Sequence, residues 1–175
     1  AAHGDEHPAV AEVLMNLGEL LADRERPAAA EEALEQSLAL RRAIFVKPHP
    51  DLAASLVTLA DFRLQKGETG VAEELVREAL EVQETILPSG HWRTAYARTV
   101  LGECLAARGQ FDEAEQLLLD SLAALSNLRG PEDEYAQLAA RRLAELYEAL
   151  GDVGSAARYR LLSTQADRSM DRPPN

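Results

Sequence analysis

Three histidines, His7, His49 and His91, stand 42 residues apart, and Asp133 takes the fourth place in the series. Imidazole and carboxylate groups bind metals, so a metal centre is the first chemistry to weigh. All ligands of one zinc lie within about 2 Å of it. Side chains that recur once per pair of packed helices are instead held apart by interaxial distances of about 8–10 Å. The spacing therefore points to helix starts. Aspartate is a good N-cap, and Pro8 and Pro50 follow their histidines where a first helical residue can lack its N–H. Cys104 is the only cysteine, and Leu20, Phe62 and Leu146 share its repeat position. It is expected to be a buried apolar residue; no His, Asp or Ser recurs around it as an activating base. Glu19, Asp61, Glu103 and Glu145 form one acidic column at the same stride. Such a column either steers a ligand bearing Lys or Arg, in a manner weakened by salt, or is a solvated helix face. Nothing resembles a phosphate loop, a metal cluster or a nucleophile with its base, so no enzyme activity and no cofactor are expected.

These residues sit on a repeat. Leu17, Leu59, Leu101 and Leu143 share one position, each followed by a small residue: Gly18, Ala60, Gly102 and Ala144. Thirteen residues after each leucine comes an alanine, namely Ala30, Ala72, Ala114 and Ala156. Gly67, Gly109 and Gly151 lie between these markers, with Glu25 in the first copy. Apolar residues recur at helical spacing before the glycine, as in Leu14, Leu17, Leu20 and Leu21, and after it, as in Leu34 and Leu38. Each unit is therefore helix, turn, helix, and four in-phase copies predict an all-α solenoid of about eight helices. The small residues suit close approach of two helix backbones, where a bulky side chain at Ala114 would disrupt packing.

Composition agrees. A chain of 175 residues, 46% hydrophobic but only 5% aromatic, can bury a core of Leu and Ala, and one domain is expected. A formal charge of -12 disfavours nucleic acid, whose binding relies on Lys and Arg, and an anionic membrane surface. One cysteine cannot form an internal disulfide, and no apolar run is long enough to span a bilayer. A cytoplasmic location is expected.

In chain order, residues 1–7 read as a linker or the remnant of an upstream repeat, because Gly4-Asp5-Glu6-His7-Pro8 parallels Gly130-Pro131-Glu132-Asp133-Glu134. A fragment of a longer protein is the expectation. The four units cover about 8–46, 50–87, 92–128 and 133–166, followed by a polar tail, 167–175. Glu31 and Glu32 early in a helix, with Arg41 and Arg42 late, complement its dipole. Arg24-Glu25-Arg26-Pro27 is the least regular corner. Trp92 takes the place of Pro8 and Pro50, either packing there or serving as an exposed anchor. Arg98, where other units have Leu14, Leu56 and Ala140, must snorkel or pair.

The pattern L-G-x-x-L, then G-x-x-x-x-A, then an apolar residue four later, resembles the tetratricopeptide repeat (TPR). Its 42-residue period with His-Pro between units is similar to the kinesin-light-chain subclass. The resemblance covers roughly Asp5 to Ser163 and implies a right-handed superhelix whose first helices line a concave groove for a peptide or partner segment. Carried over by position, that groove would present Glu12, Met15, Asn16, Glu19 and Asp23. The second unit would add Ala54, Val57, Thr58, Asp61 and Gln65; the third Tyr96, Thr99, Val100, Glu103 and Ala107; the fourth Leu138, Arg141, Arg142, Glu145 and Ala149. Two departures limit the analogy: the equivalents of Asn16 are Thr58, Val100 and Arg142, and no Lys and Asn clamp for a terminal carboxylate is present. Arg141 and Arg142 form the one basic patch, able to receive an acidic segment or to pair with Glu145. The resemblance implies a scaffold for a protein or peptide partner; self-association into a homo-oligomer through array ends or the convex surface is the alternative. LAARGQFDEAEQLLLDSL and RRLAELYEALGDVGSAARYR also resemble C-terminal repeat regions of bacterial serine/threonine kinases, which implies a regulatory segment.

Overall fold

The computed structural model describes residues 7–164. Among them are eight α-helices and no strand. Residue contacts divide the chain into two compact units, Ala1–Pro88 and Ser89–Asn175. The first holds α1 (Pro8–Asp23), α2 (Pro27–Ile44), α3 (Pro50–Gln65) and α4 (Thr69–Ile86). The second holds α5 (Trp92–Ala107), α6 (Phe111–Arg129), α7 (Glu134–Ala149) and α8 (Val153–Ser163). Consecutive helices form hairpins, and within each unit the second helix of the first hairpin packs on the first helix of the second: α2 on α3, and α6 on α7. This is an all-α helical-repeat fold. The expected remnant at the start, apart from His7, and the polar tail lie outside the described residues.

The histidine series is a series of helix caps. His7 Nδ1 accepts from the Ala9 N–H at 3.1 Å, His49 from Asp51 at 3.2 Å and His91 from Arg93 at 3.1 Å. Asp133 Oδ1 does the same for Tyr135 at 3.1 Å. Each bond satisfies one of the N–H groups that a helix start leaves without an intrahelical acceptor. Among the described residues no group of His, Cys, Asp and Glu is placed to hold a metal ion.

The hairpin corners are equally uniform. Gly67, Gly109 and Gly151 adopt φ of 78°, 75° and 77°, and Glu25 joins them at 55°. In all four corners the next residue donates its N–H to a carbonyl five residues back at 2.9 Å: Arg26 to Leu21, Glu68 to Arg63, Gln110 to Leu105 and Asp152 to Tyr147. This is the glycine-type helix ending. The corner expected to be least regular thus closes like the others, with a glutamate accepting the left-handed conformation that usually selects glycine.

Helix contact within a hairpin is set by the small residues. Ala30, Ala72, Ala114 and Ala156 are all buried. A Cβ placed on Gly18 would lie 2.6 Å from Leu34 Cγ, and one on Gly102 would lie 2.7 Å from Leu118 Cγ. Where this position holds alanine instead, the register partner of the leucine is smaller or flexible: Val76 for Ala60 and Arg160 for Ala144. The two positions share one volume between them.

Polar groups join the two hairpins of the first unit. Arg41, 3% exposed, donates from Nη1 to the Asp51 carbonyl at 2.6 Å and to Ser55 Oγ at 2.7 Å. Ser37 donates to the Ala11 carbonyl of its own hairpin at 2.6 Å, and its Oγ lies 3.2 Å from Ser55 Oγ of α3. Glu31 pairs with Arg63 at 2.5 Å and with Lys66 at 2.7 Å, while Glu35 also meets Arg63. The expectation that Glu31 complements the dipole of α2 is therefore corrected, whereas Arg41 does lie in its last turn. Glu31 lies beyond the first turn of α2, and both side chains reach across to α3. Burial lowers the proton affinity of the Arg41 guanidinium from its ordinary value, against the opposing charges of Asp51, Glu12 and Glu19.

In the second unit the joint is more apolar. Ala95, Leu125, Ala136 and Ala139 form a buried cluster, with Trp92 and Tyr135 packed against it. Trp92 lies 5.1 Å from the Tyr135 ring, and the Arg129 guanidinium sits 4.3 Å over the indole. Trp92 thus packs where the sequence left packing and anchoring open.

Gly102→Ala should destabilise the chain by about 1–3 kcal/mol through overpacking against Leu118. Adding Leu118→Val should recover most of that loss in a double-mutant cycle read by urea unfolding. His91→Ala should cost about 1 kcal/mol by removing a cap, while His91→Asp, which copies the fourth unit, should cost little in the same measurement.

Candidate functional site

In the first unit the carried-over residues lie on α1 and α3, whose capped starts fix their register. Asn16, Glu19, Asp23 and Gln65 are exposed, and Met15, Thr58 and Asp61 are half-buried. Val57 is not on the surface at all: it is 2% exposed and belongs to the core. Thr58 Oγ1 donates to Glu19 Oε1 at 3.4 Å, and Gln65 donates to Asp61 at 2.9 Å. Beneath this face, Arg41 reaches Met15 Sδ at 3.2 Å. Desolvation pushes the Glu19 carboxyl above its usual range. The Thr58 hydrogen bond opposes this, Asp23 adds to it, Arg41 opposes it and Asp61 adds to it. The face is acidic, and its carboxylates feel one another.

The second unit carries the equivalent face on α5 and α7. Arg141 and Glu145 are exposed, while Tyr96, Glu103, Leu138 and Arg142 are half-buried. Thr99 and Val100 are each 1% exposed, and the Thr99 hydroxyl donates to the Ala95 carbonyl at 3.1 Å within its own helix. These two, like Val57, stand at positions where the helix turns toward its neighbours. Arg142 bridges the acidic column, meeting Glu103 at 2.5 Å and Glu145 at 3.1 Å. Of the two readings of Arg142, pairing with Glu145 is the one observed, and Glu103 joins it. The column is thus acidic in the first unit and cross-linked by a cation in the second.

Beside this bridge is an open hollow of about 210 Å³, lined by Glu103, Ala106, Ala107, Phe111, Arg142, Glu145, Leu146 and Ala149. Its floor is apolar and its rim charged, a combination suited to the body and tip of a long side chain. Ala107 and Ala149 were named from the sequence, but Phe111 and Leu146 were not. Phe111 lies in the second helix of its hairpin, and a list limited to first helices omits it. At the other end of the face, the Tyr96 and Tyr135 rings meet at 4.6 Å. Cys104 is buried, as its repeat equivalents suggested, and is not part of a disulfide. Arg98 is exposed. Among the described residues no helix is long and apolar enough to cross a membrane.

Family models described as tetratricopeptide repeat match residues 1–43, 10–85 and 94–133. No curated protein matches the chain. Among solved structures, a Podosopora anserina protein described as a kinesin light chain with nearly identical TPR-like repeats is similar at 24% identity, with a TM-score of 0.65. That match covers 98% of this chain and 82% of the other. A variant of the same protein gives 24% identity and 0.68, covering 95% and 81%. BtubC (BKLC) from P. vanneervenii is similar at 22% identity and 0.72, covering 97% and 68%. These likenesses concern the fold.

Glu19→Gln should raise stability at neutral pH. A carboxyl whose folded-state value lies above its ordinary 4.5 opposes folding while ionised. That opposition is full above the folded-state value and disappears below 4.5. The gain in melting temperature should therefore be present at pH 7 and absent once the carboxyl is protonated in both states.

Proposed function

Because the chain belongs to the tetratricopeptide-repeat family, whose repeats mediate protein–protein contacts, we propose that it is a scaffold that binds an extended partner segment without chemistry. The ligand surface is the first-helix face of each unit. The observation that carries this reading is the acidic face of α1 and α3, where exposed Glu19 and Asp23 share a surface with half-buried Asp61 and the neighbouring carboxylates oppose ionisation of Glu19. A ligand cation placed there relieves that repulsion on binding, so the matching segment carries Lys or Arg. In the second unit, the hollow beside Arg142 accepts an apolar or long aliphatic side chain, and Arg141 offers one exposed cation. The three buried positions, Val57, Thr99 and Val100, support these faces from below rather than touching a ligand.

The formal charge of -12 disfavours nucleic acid and anionic membrane surfaces as partners. A cytoplasmic regulatory setting, in which any chemistry belongs to other parts of a larger protein, completes the proposal. A second reading, self-association, has an observation of its own: Val13, Leu17 and Leu20 of α1 stand in solvent.

The groove reading is tested with a fluorescent extended peptide bearing several lysines. Binding should weaken as salt is raised. Glu19→Lys combined with Asp61→Lys should reduce affinity about tenfold or more, the equivalent of about 1.4 kcal/mol. An unchanged affinity in a folded double variant contradicts the proposal.

A further inference from the structure

Two small residues line the hollow of the second unit. Ala107 and Ala149 are both exposed, and each extends only a methyl group beside the half-buried Phe111 and the buried Leu146. The same register positions in the first unit hold Asp23 and Gln65, which are longer and polar. The exchange to alanine leaves room beside an apolar floor.

It also removes a hydrogen-bond donor. In the first unit Gln65 Nε2 donates to Asp61 Oδ2 at 2.9 Å. The register equivalent of Asp61 is Glu145, and the residue one turn on is Ala149, whose side chain has nothing to donate. Glu145 Oε2 receives Arg142 Nη1 at 3.1 Å, while its Oε1 receives no hydrogen bond among the described residues. The Glu145 side chain is 50% exposed, so that oxygen is within reach of a ligand. Among the residues lining the hollow, Glu103 and Glu145 set two carboxylates against the single guanidinium of Arg142. One negative charge is left over.

From the apolar floor, the unpaired Glu145 oxygen and the surplus charge we infer that the hollow receives a lysine side chain of the partner segment. The aliphatic stem lies on Phe111 and Leu146 between the two alanines, and the ammonium donates to Glu145 Oε1, as Gln65 does to Asp61 in the first unit. The inference rests on the first-helix-face reading and names the side chain that this face selects. Lysine is favoured over arginine because a guanidinium fork calls for both oxygens of a carboxylate, and Glu145 already gives one to Arg142. An acidic side chain is disfavoured by the leftover negative charge and by the two carboxylates that already hold Arg142.

The test uses the lysine-bearing peptide and protein isotope-labelled in its alanine methyl groups. Nuclear Overhauser contacts should run from lysine methylenes to the methyls of Ala107 and Ala149. Ala149→Gln copies the first unit at an exposed position, and circular dichroism verifies that the variant folds. It should fill the hollow, supply the missing donor from within, and weaken peptide binding about fivefold. Lysines of the peptide are then replaced one at a time by norleucine, which keeps the stem and removes the charge. One replacement should cost about fivefold with the wild-type protein and nothing further with Ala149→Gln. Arginine at that peptide position should also bind more weakly than lysine. Peptide binding that is insensitive to Ala149→Gln and shows no contact with the two alanines overturns the inference. Norleucine or arginine accepted as well as lysine overturns the choice of occupant. The groove reading is judged separately by Glu19→Lys with Asp61→Lys, so it survives either of those results; a peptide that fails to bind the wild-type protein contradicts both.

Discussion

The close approach of the two helices within each hairpin is the constraint on which the rest of the structure depends. Gly18 and Gly102 have no room for a Cβ because Leu34 and Leu118 occupy that space, and the buried alanines thirteen residues after each repeat leucine remove bulk from the facing helix. With the hairpin fixed this tightly, backbone positions of a given register recur in the same local geometry. The capping histidines and left-handed corners repeat with equal regularity because each satisfies the same backbone groups at the same place.

Regular backbone geometry leaves the side chains free to vary in chemistry. Between hairpins, one unit uses Arg41, serine hydroxyls and a carboxylate–cation network, whereas the other uses alanine, leucine and a tilted aromatic cluster. In the second unit a tyrosine takes the place of a cation at this joint. Tyr147 donates to Glu115 at 2.5 Å, and that bond, with burial, pushes its phenol up to about 12. The first-helix faces diverge in the same way: the carboxylates of the first unit repel one another, while those of the second share Arg142. One scaffold thus presents two electrostatic surfaces, consistent with a role in recognition, where differences between faces select the ligand.

Much of this was legible because repetition converts position into environment. Leu20, Phe62 and Leu146 identified Cys104 as a core residue, and Asp133 identified the histidines as caps. The family resemblance supplied the first-helix faces. What escaped was whatever depends on neighbours distant in sequence. Val57, Thr99 and Val100 were carried over as groove residues, but small and β-branched side chains at those positions sink between packed helices. Glu31 looked like a dipole-complementing residue, since nothing in its own helix reveals Arg63 and Lys66 on the next. Phe111 was missed because it comes from a second helix yet borders a hollow among first helices. The pairing of Arg142 with Glu145 was open to sequence reasoning because the two are one turn apart, whereas the bridge to Glu103 spans two hairpins.

The central claim is that a shared register means a shared environment wherever a neighbouring hairpin covers it, and that no described helix covers the outer stripe of α1. Cysteine accessibility measures this directly. In a Cys104→Ala background, single replacements Leu17→Cys, Leu59→Cys and Leu143→Cys are reacted with a small thiol reagent under native conditions at low protein concentration. The account predicts rapid labelling at position 17 and strong protection at 59 and 143, lost together when the chain is unfolded. Equal reactivity at all three positions in the folded protein would contradict it.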